Sequence, residues 1–170
     1  MDRDTSGLIV IARNTEAHAQ LSRQFKSRQV EKGYLALVEG SPDPAEAVID
    51  APIGRHPRDR KRMAIVDGGR GSVTRFRVIE SLGRYSYVDV KPKTGRTHQI
   101  RVHLASIGHP VVGDVTYGRA QMELGRHFLH AHRLAFRPPL GHGWMEFELG
   151  LSHDLQAYLD SLRPAQTTEH

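Results

Sequence analysis

Four groups of residues in this chain have the types and spacing to do chemistry. Near the start, Asp2-Arg3-Asp4-Thr5-Ser6-Gly7 places two carboxylates directly before a short apolar run. A carboxylate can attack an electrophilic carbon or relay a proton. The same spacing imitates the opening of a calcium loop, but such a loop needs a bidentate Glu at its twelfth position, where Arg13 stands. A solvated terminus accounts for these residues equally well. The second group, Lys91-Pro92-Lys93-Thr94-Gly95-Arg96-Thr97-His98-Gln99-Ile100-Arg101, is a basic turn leading into a helix, whose first turn attracts anions. It lacks the G-K-[ST] ending of a nucleotide-phosphate loop. The third, Arg55-His56-Pro57-Arg58-Asp59-Arg60-Lys61-Arg62, sets five cations in eight residues at an expected hairpin tip, suited to phosphate or to plain solvent. The fourth is a histidine group, His127, His130 and His132. His130 and His132 would share one face of a strand, but no carboxylate lies at a metal-ligand spacing, so no metal site is expected.

These groups need elements to hold them. Leu8 to Ala12 is a continuous apolar run and reads as a buried strand. Asn14-Thr15-Glu16 opens a helix, with Thr15 as a possible cap and Ala17, Leu21 and Phe25 on one face. Tyr34 to Val38 is a second apolar run, stopped by Gly40 and the turn after it. Strands are expected around 46–53, 62–66, 72–80, 85–91, 127–136 and 144–149. Helices are expected over about 97–107, with Ile100, Leu104 and Ile107 buried, and about 153–162, with Leu155, Tyr158 and Leu162 packing. Many strands and short turns predict an α+β fold with a mixed, largely antiparallel sheet and flanking helices. One domain is expected over residues 1–163, with 164–170 as a disordered tail.

Composition narrows the function. The 170 residues include 24 Lys/Arg against 19 Asp/Glu, and 19 of the 24 are Arg. Residues 52–101 carry 13 of these cations against 4 acids, a net of +9, while the rest of the chain is net −4. Arg offers a planar fork for phosphates and stacks on bases, so the central stretch points to nucleic acid. With no cysteine, disulfides, thiolate metal sites and a Cys nucleophile are excluded for this chain. No apolar stretch is long enough to span a membrane, and no secretory signal pattern opens the chain. A cytoplasmic protein with no membrane partner is expected.

Taken together, these segments resemble the RluA/RluD-type pseudouridine synthases. Asp2 to Leu8 is similar to that family's R-L-D-x-x-T-S-G-L segment, with Met1 in the place of Leu. Lys32-Gly33-Tyr34-Leu35-Ala36-Leu37-Val38-Glu39-Gly40 is similar to its K-x-Y-x-A-L-V-x-G strand. Pro52 to Pro57, Thr94 to His103, Gly108 to Asp114 and Leu129 to Leu134 supply four more matches in order. The resemblance implies isomerisation of uridine to pseudouridine in structured RNA, with no cofactor and no metal. It places the catalytic aspartate on Asp2, the active-site tyrosine on Tyr34, the basic partner of the aspartate on Arg101 and a base-pocket residue on Ile100. Asp2 would attack the ribose C1′ or relay a proton from C2′, and Tyr34 would stack on the flipped base or act as a base toward the sugar. Arg55, Arg58, Arg60, Lys61 and Arg62, with Lys93 and Arg96, would hold the surrounding RNA by its phosphates.

The family's catalytic domain begins well before this segment, with further strands and, in many members, a small S4-type RNA-binding domain. The chain is therefore expected to be an N-terminally shortened form, either through a misassigned start or as a genuine short protein. It is expected to have an open sheet edge and little turnover by itself. The full-length protein is expected to be a monomer. Large-subunit ribosomal RNA is the expected substrate, with tRNA as the second candidate. The alternative is a non-catalytic RNA-binding fragment of the same fold.

Overall fold

A computed structural model of the chain describes residues 2–121 and 123–164, so the expected tail lies outside the described residues beyond Pro164. In chain order the elements are β1 (Ser6–Gly7), α1 (Thr15–Lys26), β2 (Glu31–Glu39), β3 (Glu46–Asp50), β4 (Ile53–Arg55), β5 (Met63–Ile65), β6 (Val73–Leu82), β7 (Tyr85–Pro92), α2 (Gln99–Ser106), β8 (Leu129–Phe136), β9 (Met145–Glu148) and α3 (His153–Leu162). The main sheet runs β1-β8-β2-β7-β6-β3, with β9 also on β8, while β4 and β5 form a separate hairpin. Every pairing is antiparallel except β1 with β8. The architecture is the α+β, largely antiparallel arrangement that the run of strands and turns implied.

β2 is the central strand. It pairs with β7 through Tyr34–Val90 to Glu39–Tyr85 and with β8 through Glu31–Ala135 to Ala36–Leu129. Ala36, Leu37 and Val38 are all fully buried, so both faces of the sheet are covered there. The main core joins β2, β6 and β7 to Ile100 and Leu104 of α2, to Val111, Val112 and Phe128, and to Leu155 and Leu159 of α3. A smaller cluster unites Leu21 of α1, Val30, Leu134 and Phe136.

The expected strand over Leu8–Ala12 is corrected. Pairing with β8 stops after Gly7, where the Leu8 amide donates to the Ala131 carbonyl at 2.8 Å. The next place along β8 is taken by the β9 segment, with the Leu149 amide on His132 and Arg133 opposite Glu148. Leu8, Val10 and Ala12 instead lie on the smaller cluster, and Ile9 and Ile11 are 65% and 76% exposed. The strand expected over 46–53 breaks in two at Ala51-Pro52, because Pro52 has no amide to give the ladder. Ile53 then belongs to the β4–β5 hairpin. Asn14, not Thr15, caps α1, its side chain accepting from the Ala17 amide at 2.8 Å. Ile107 sits past the end of α2 and is exposed, and in α3 the second fully buried residue is Leu159.

Candidate active site

The site begins with a turn. Gly113 takes φ +79°, and a Cβ there would meet the Arg126 carbonyl oxygen at 2.2 Å, so only glycine fits. Just before it, Val112 donates to the Leu37 carbonyl and accepts from the Phe128 amide, which pins the segment beside β2. The turn drops Asp114 into full burial. Its carboxylate accepts from Arg101 Nε at 2.7 Å and Nη2 at 2.8 Å, and from the amides of Thr116 and Tyr117. Burial alone would raise the Asp114 carboxyl, but the guanidinium outweighs it and holds the group below the usual carboxylate range. Burial likewise opposes the charge of Arg101, and Asp114 and then Asp2 more than offset it, so Arg101 stays protonated.

The remaining guanidinium nitrogen reaches the front of the site. Arg101 Nη1 donates to Asp2 Oδ2 at 3.1 Å. One arginine thus bridges a fully buried carboxylate and one at a cavity of about 290 Å³, close to the lower end of the roughly 300–1,000 Å³ usual for small-ligand sites. Asp2, Tyr34, Ile100, Lys32 and Leu129 line this cavity together with the 94–99 turn. Burial, reinforced by the Asp2 charge, pushes the Tyr34 phenol above its ordinary value, so it is neutral at physiological pH.

Asp2 is held from several directions. Thr5 closes a turn on the Asp2 carbonyl, and its buried hydroxyl is 2.9 Å from His127 Nε2. Ser6 Oγ lies 2.8 Å from His130 Nδ1. Arg126 forks across this segment, donating to the Asp4 carbonyl at 3.0 Å, Ser6 Oγ at 3.1 Å, Ser152 Oγ at 2.9 Å and Asp154 Oδ2 at 2.7 Å. The turn that opens α2 is held by Gln99. Its carbonyl oxygen accepts from the Thr94 hydroxyl and the Arg96 amide, and its amide donates to the Val73 carbonyl and Thr74 Oγ1. His98, at φ 55°, precedes the helix and puts Arg101 in its first turn.

Tyr117 links this centre to the basic hairpin. The guanidinium groups of Arg101 and Arg62 both lie over its ring, with centroid distances of 5.1 and 5.3 Å. Its hydroxyl accepts from the Met63 amide at 2.9 Å and lies 2.8 Å from His98 Nδ1. Burial keeps His98 below its ordinary value, so the neutral ring can accept a hydrogen bond from the phenol hydroxyl.

The sequence-derived candidates are therefore brought together in part. Asp2, Tyr34, Ile100 and Arg96 line the cavity and Arg101 stands behind Asp2. Arg55, Arg58, Arg60, Lys61 and Arg62 occupy the β4–β5 hairpin and its tip; the first four are exposed, and Arg62 leans on Tyr117. Lys93 is exposed and faces a neighbouring groove instead. Asp114, Tyr117, Lys32 and Arg126 were not singled out from sequence, although Asp114 ends one of the matched segments. Among the described residues no three His, Asp or Glu side chains converge as metal ligands; His130 faces Ser6 and His132 faces Asp89.

Residues 1–106 match the family model described as RNA pseudouridylate synthase. The chain belongs to this family. It is 50% identical over 165 residues to an uncharacterized RNA pseudouridine synthase of Chloroflexus aurantiacus, covering 96% of this chain and 52% of the relative. It is 43% identical over 172 residues to ribosomal large subunit pseudouridine synthase D of Nitrosomonas europaea, covering 96% and 50%. Among solved structures it is similar to human RNA pseudouridylate synthase domain containing 4, with a TM-score of 0.78 at 26% identity, covering 95% of this chain and 73% of that one. It is also similar to human RNA pseudouridylate synthase domain containing 1, with a TM-score of 0.71 at 34% identity, covering 95% and 77%. The chain spans about half the length of the curated relatives it matches.

Proposed function

We propose that this pseudouridine synthase chain carries the catalytic centre for isomerising uridine in structured RNA, with large-subunit ribosomal RNA as the substrate. The observation that carries the reading is the Asp2 carboxylate, oriented by Arg101 at 3.1 Å on the wall of a cavity shared with Tyr34 and Ile100. The reaction breaks the bond from C1′ to N1 of the base, turns the uracil and joins C1′ to C5, which gives up its proton. N1, freed from the sugar, takes up a proton in exchange, so the composition of the nucleotide is unchanged and the chemistry calls for neither a redox partner nor an activated phosphate. Among the described residues Asp2 is the one carboxylate on the cavity wall, placed to attack C1′ or to take the C2′ proton. Tyr34, held neutral, suits stacking on the uracil better than accepting a proton. Ile100 supplies an apolar wall for the base, and the hairpin cations from Arg55 to Arg62 hold phosphates of the RNA.

The name of the Nitrosomonas relative supports the ribosomal substrate. On this reading the protein works in the cytoplasm, and a monomer suffices because Asp2, Tyr34 and Arg101 all come from one chain. The test is pseudouridine formation in unmodified large-subunit ribosomal RNA. The Asp2→Asn protein should bind RNA as the parent does and form no pseudouridine. Parent-like turnover by that variant would refute the assignment. Equal RNA binding by both with turnover by neither, even in a longer form of the protein, would favour the RNA-binding module.

A further inference from the structure

A second groove of about 360 Å³ adjoins the catalytic cavity and shares Lys32, Thr94, Gly95 and Arg96 with it. Six cations line it: Lys26 and Arg28 at the end of α1, Lys32 on β2, Arg70, Lys93 and Arg96. No carboxylate lines it, and none of the six makes an ion pair among the described residues. Arg75, Arg101, Arg126, Arg133 and Arg163, by contrast, are each paired with acids elsewhere in the fold. Like charges gathered without counter-charge repel one another, so the arrangement calls for a polyanion. The dipole at the end of α1 accounts for Lys26 alone. Arg28 holds a left-handed backbone (φ 61°) at a helix end where glycine is the usual residue.

One aromatic ring completes the groove. Phe25 is 42% exposed among these cations, and it also lines the small apolar cavity that reaches Tyr34. Lys32 touches all three spaces, and its ammonium makes one hydrogen bond, to the Thr94 carbonyl at 3.0 Å, leaving two donors for a ligand. Cations tracking a backbone beside an exposed aromatic face are the means by which proteins hold single-stranded nucleic acid. We propose that this groove binds the single-stranded RNA flanking the target uridine, with Phe25 stacking on a neighbouring base and Lys26, Arg28, Lys93 and Arg96 on the phosphates. The inference rests on the isomerase reading for the position of the target uridine but not for the binding of RNA.

The probe is a single-stranded oligouridylate, titrated at several salt concentrations against parent and variants. The Lys26→Gln/Arg28→Gln protein should lower the slope of log affinity against log salt by about 1.4, at roughly 0.7 for each lost single-strand contact. Phe25→Leu should weaken binding by about 5- to 150-fold with an unchanged slope, and Phe25→Trp should restore it. All three positions are exposed, and circular dichroism would verify that the variants fold. A parent that isomerises uridine while the groove variants keep its affinity and slope would overturn the groove alone. Groove effects as stated, with no turnover on any RNA by the parent or by a longer form of the protein, would overturn the isomerase reading and leave the groove standing. Polyglutamate binding as tightly as oligouridylate, indifferent to Phe25, would assign the groove to an acidic protein and overturn the proposal.

Discussion

Replacing Asp114 by asparagine should damage the protein although Asp114 does not line the cavity. The carboxylate is fully buried and accepts four hydrogen bonds, two of them from an arginine whose side chain is only 7% exposed. Asparagine keeps one acceptor oxygen and turns an NH₂ group toward the guanidinium, so one Arg101 nitrogen loses its partner and the charge is no longer balanced. Arg101 is then left with Asp2 alone. Breaking a buried pair from one side costs about 3–5 kcal/mol. For a chain of this size that lowers the melting temperature by about 6–20 °C. Urea unfolding at neutral pH measures the loss directly, and an unchanged m-value shows that the denatured state is the same. The companion Arg101→Met strands Asp114 in turn, whereas the double variant removes both charges. The double variant should therefore lose less than the sum of the singles, with a coupling of about 2 kcal/mol or more. A loss under about 1 kcal/mol for Asp114→Asn, or strict additivity in the cycle, would refute the idea that Asp114 is what holds Arg101 in place.

Two other outcomes follow from the same geometry. His103, His127 and His130 are buried, and burial holds each below the ordinary histidine value near 6.5. The unfolded chain takes up their protons first, so their contribution is intact above about pH 6.5 and is lost as pH falls, by up to about 1.4 kcal/mol per pH unit for each; a melting temperature flat from pH 8 to 5 would contradict this. Gly7 takes φ +113°, and a Cβ there would stand 2.2 Å from the Ala131 carbonyl oxygen, so Gly7→Ala should cost about 1–3 kcal/mol and, by displacing Asp2, should abolish the proposed turnover in a form of the protein long enough to show it; an alanine variant as stable as the parent, or one that isomerises uridine at the parent rate, would contradict this.

What could be read from the sequence was whatever is encoded locally. The Tyr34–Val38 run became the middle of β2, and the basic octet became a hairpin tip because the strands on either side are adjacent in sequence. Asp2 and Arg101, 99 positions apart, were joined through ordered motifs and not through any local pattern. Asp114 escaped because a lone acid after a glycine reads as a solvated turn; only the buried guanidinium opposite explains it. The Leu8–Ala12 run has strand composition, yet whether it pairs depends on β9, some 140 residues later in the sequence, which takes the place along β8 that it would need. Periodicity records which residues want burial and is silent about which neighbour reaches the edge first.

The parallel pairing of β1 with β8 and the Arg126 fork set an order in time as well as in space. The segment that carries Asp2 has all its ties only when Ser6 has met His130 and Arg126 has gathered Ser6, Ser152 and Asp154. Ser6 and Ser152 are separated by 146 positions. At about 5–20 residues per second, a ribosome making this chain delivers the second partner about 7–30 s after the first. Through that interval the central strands and the basic hairpin can form while the fork is still incomplete. The nascent protein therefore forms its basic hairpin before the segment that carries Asp2 is fully fastened, and the Arg126 fork is completed only as the last helix is released.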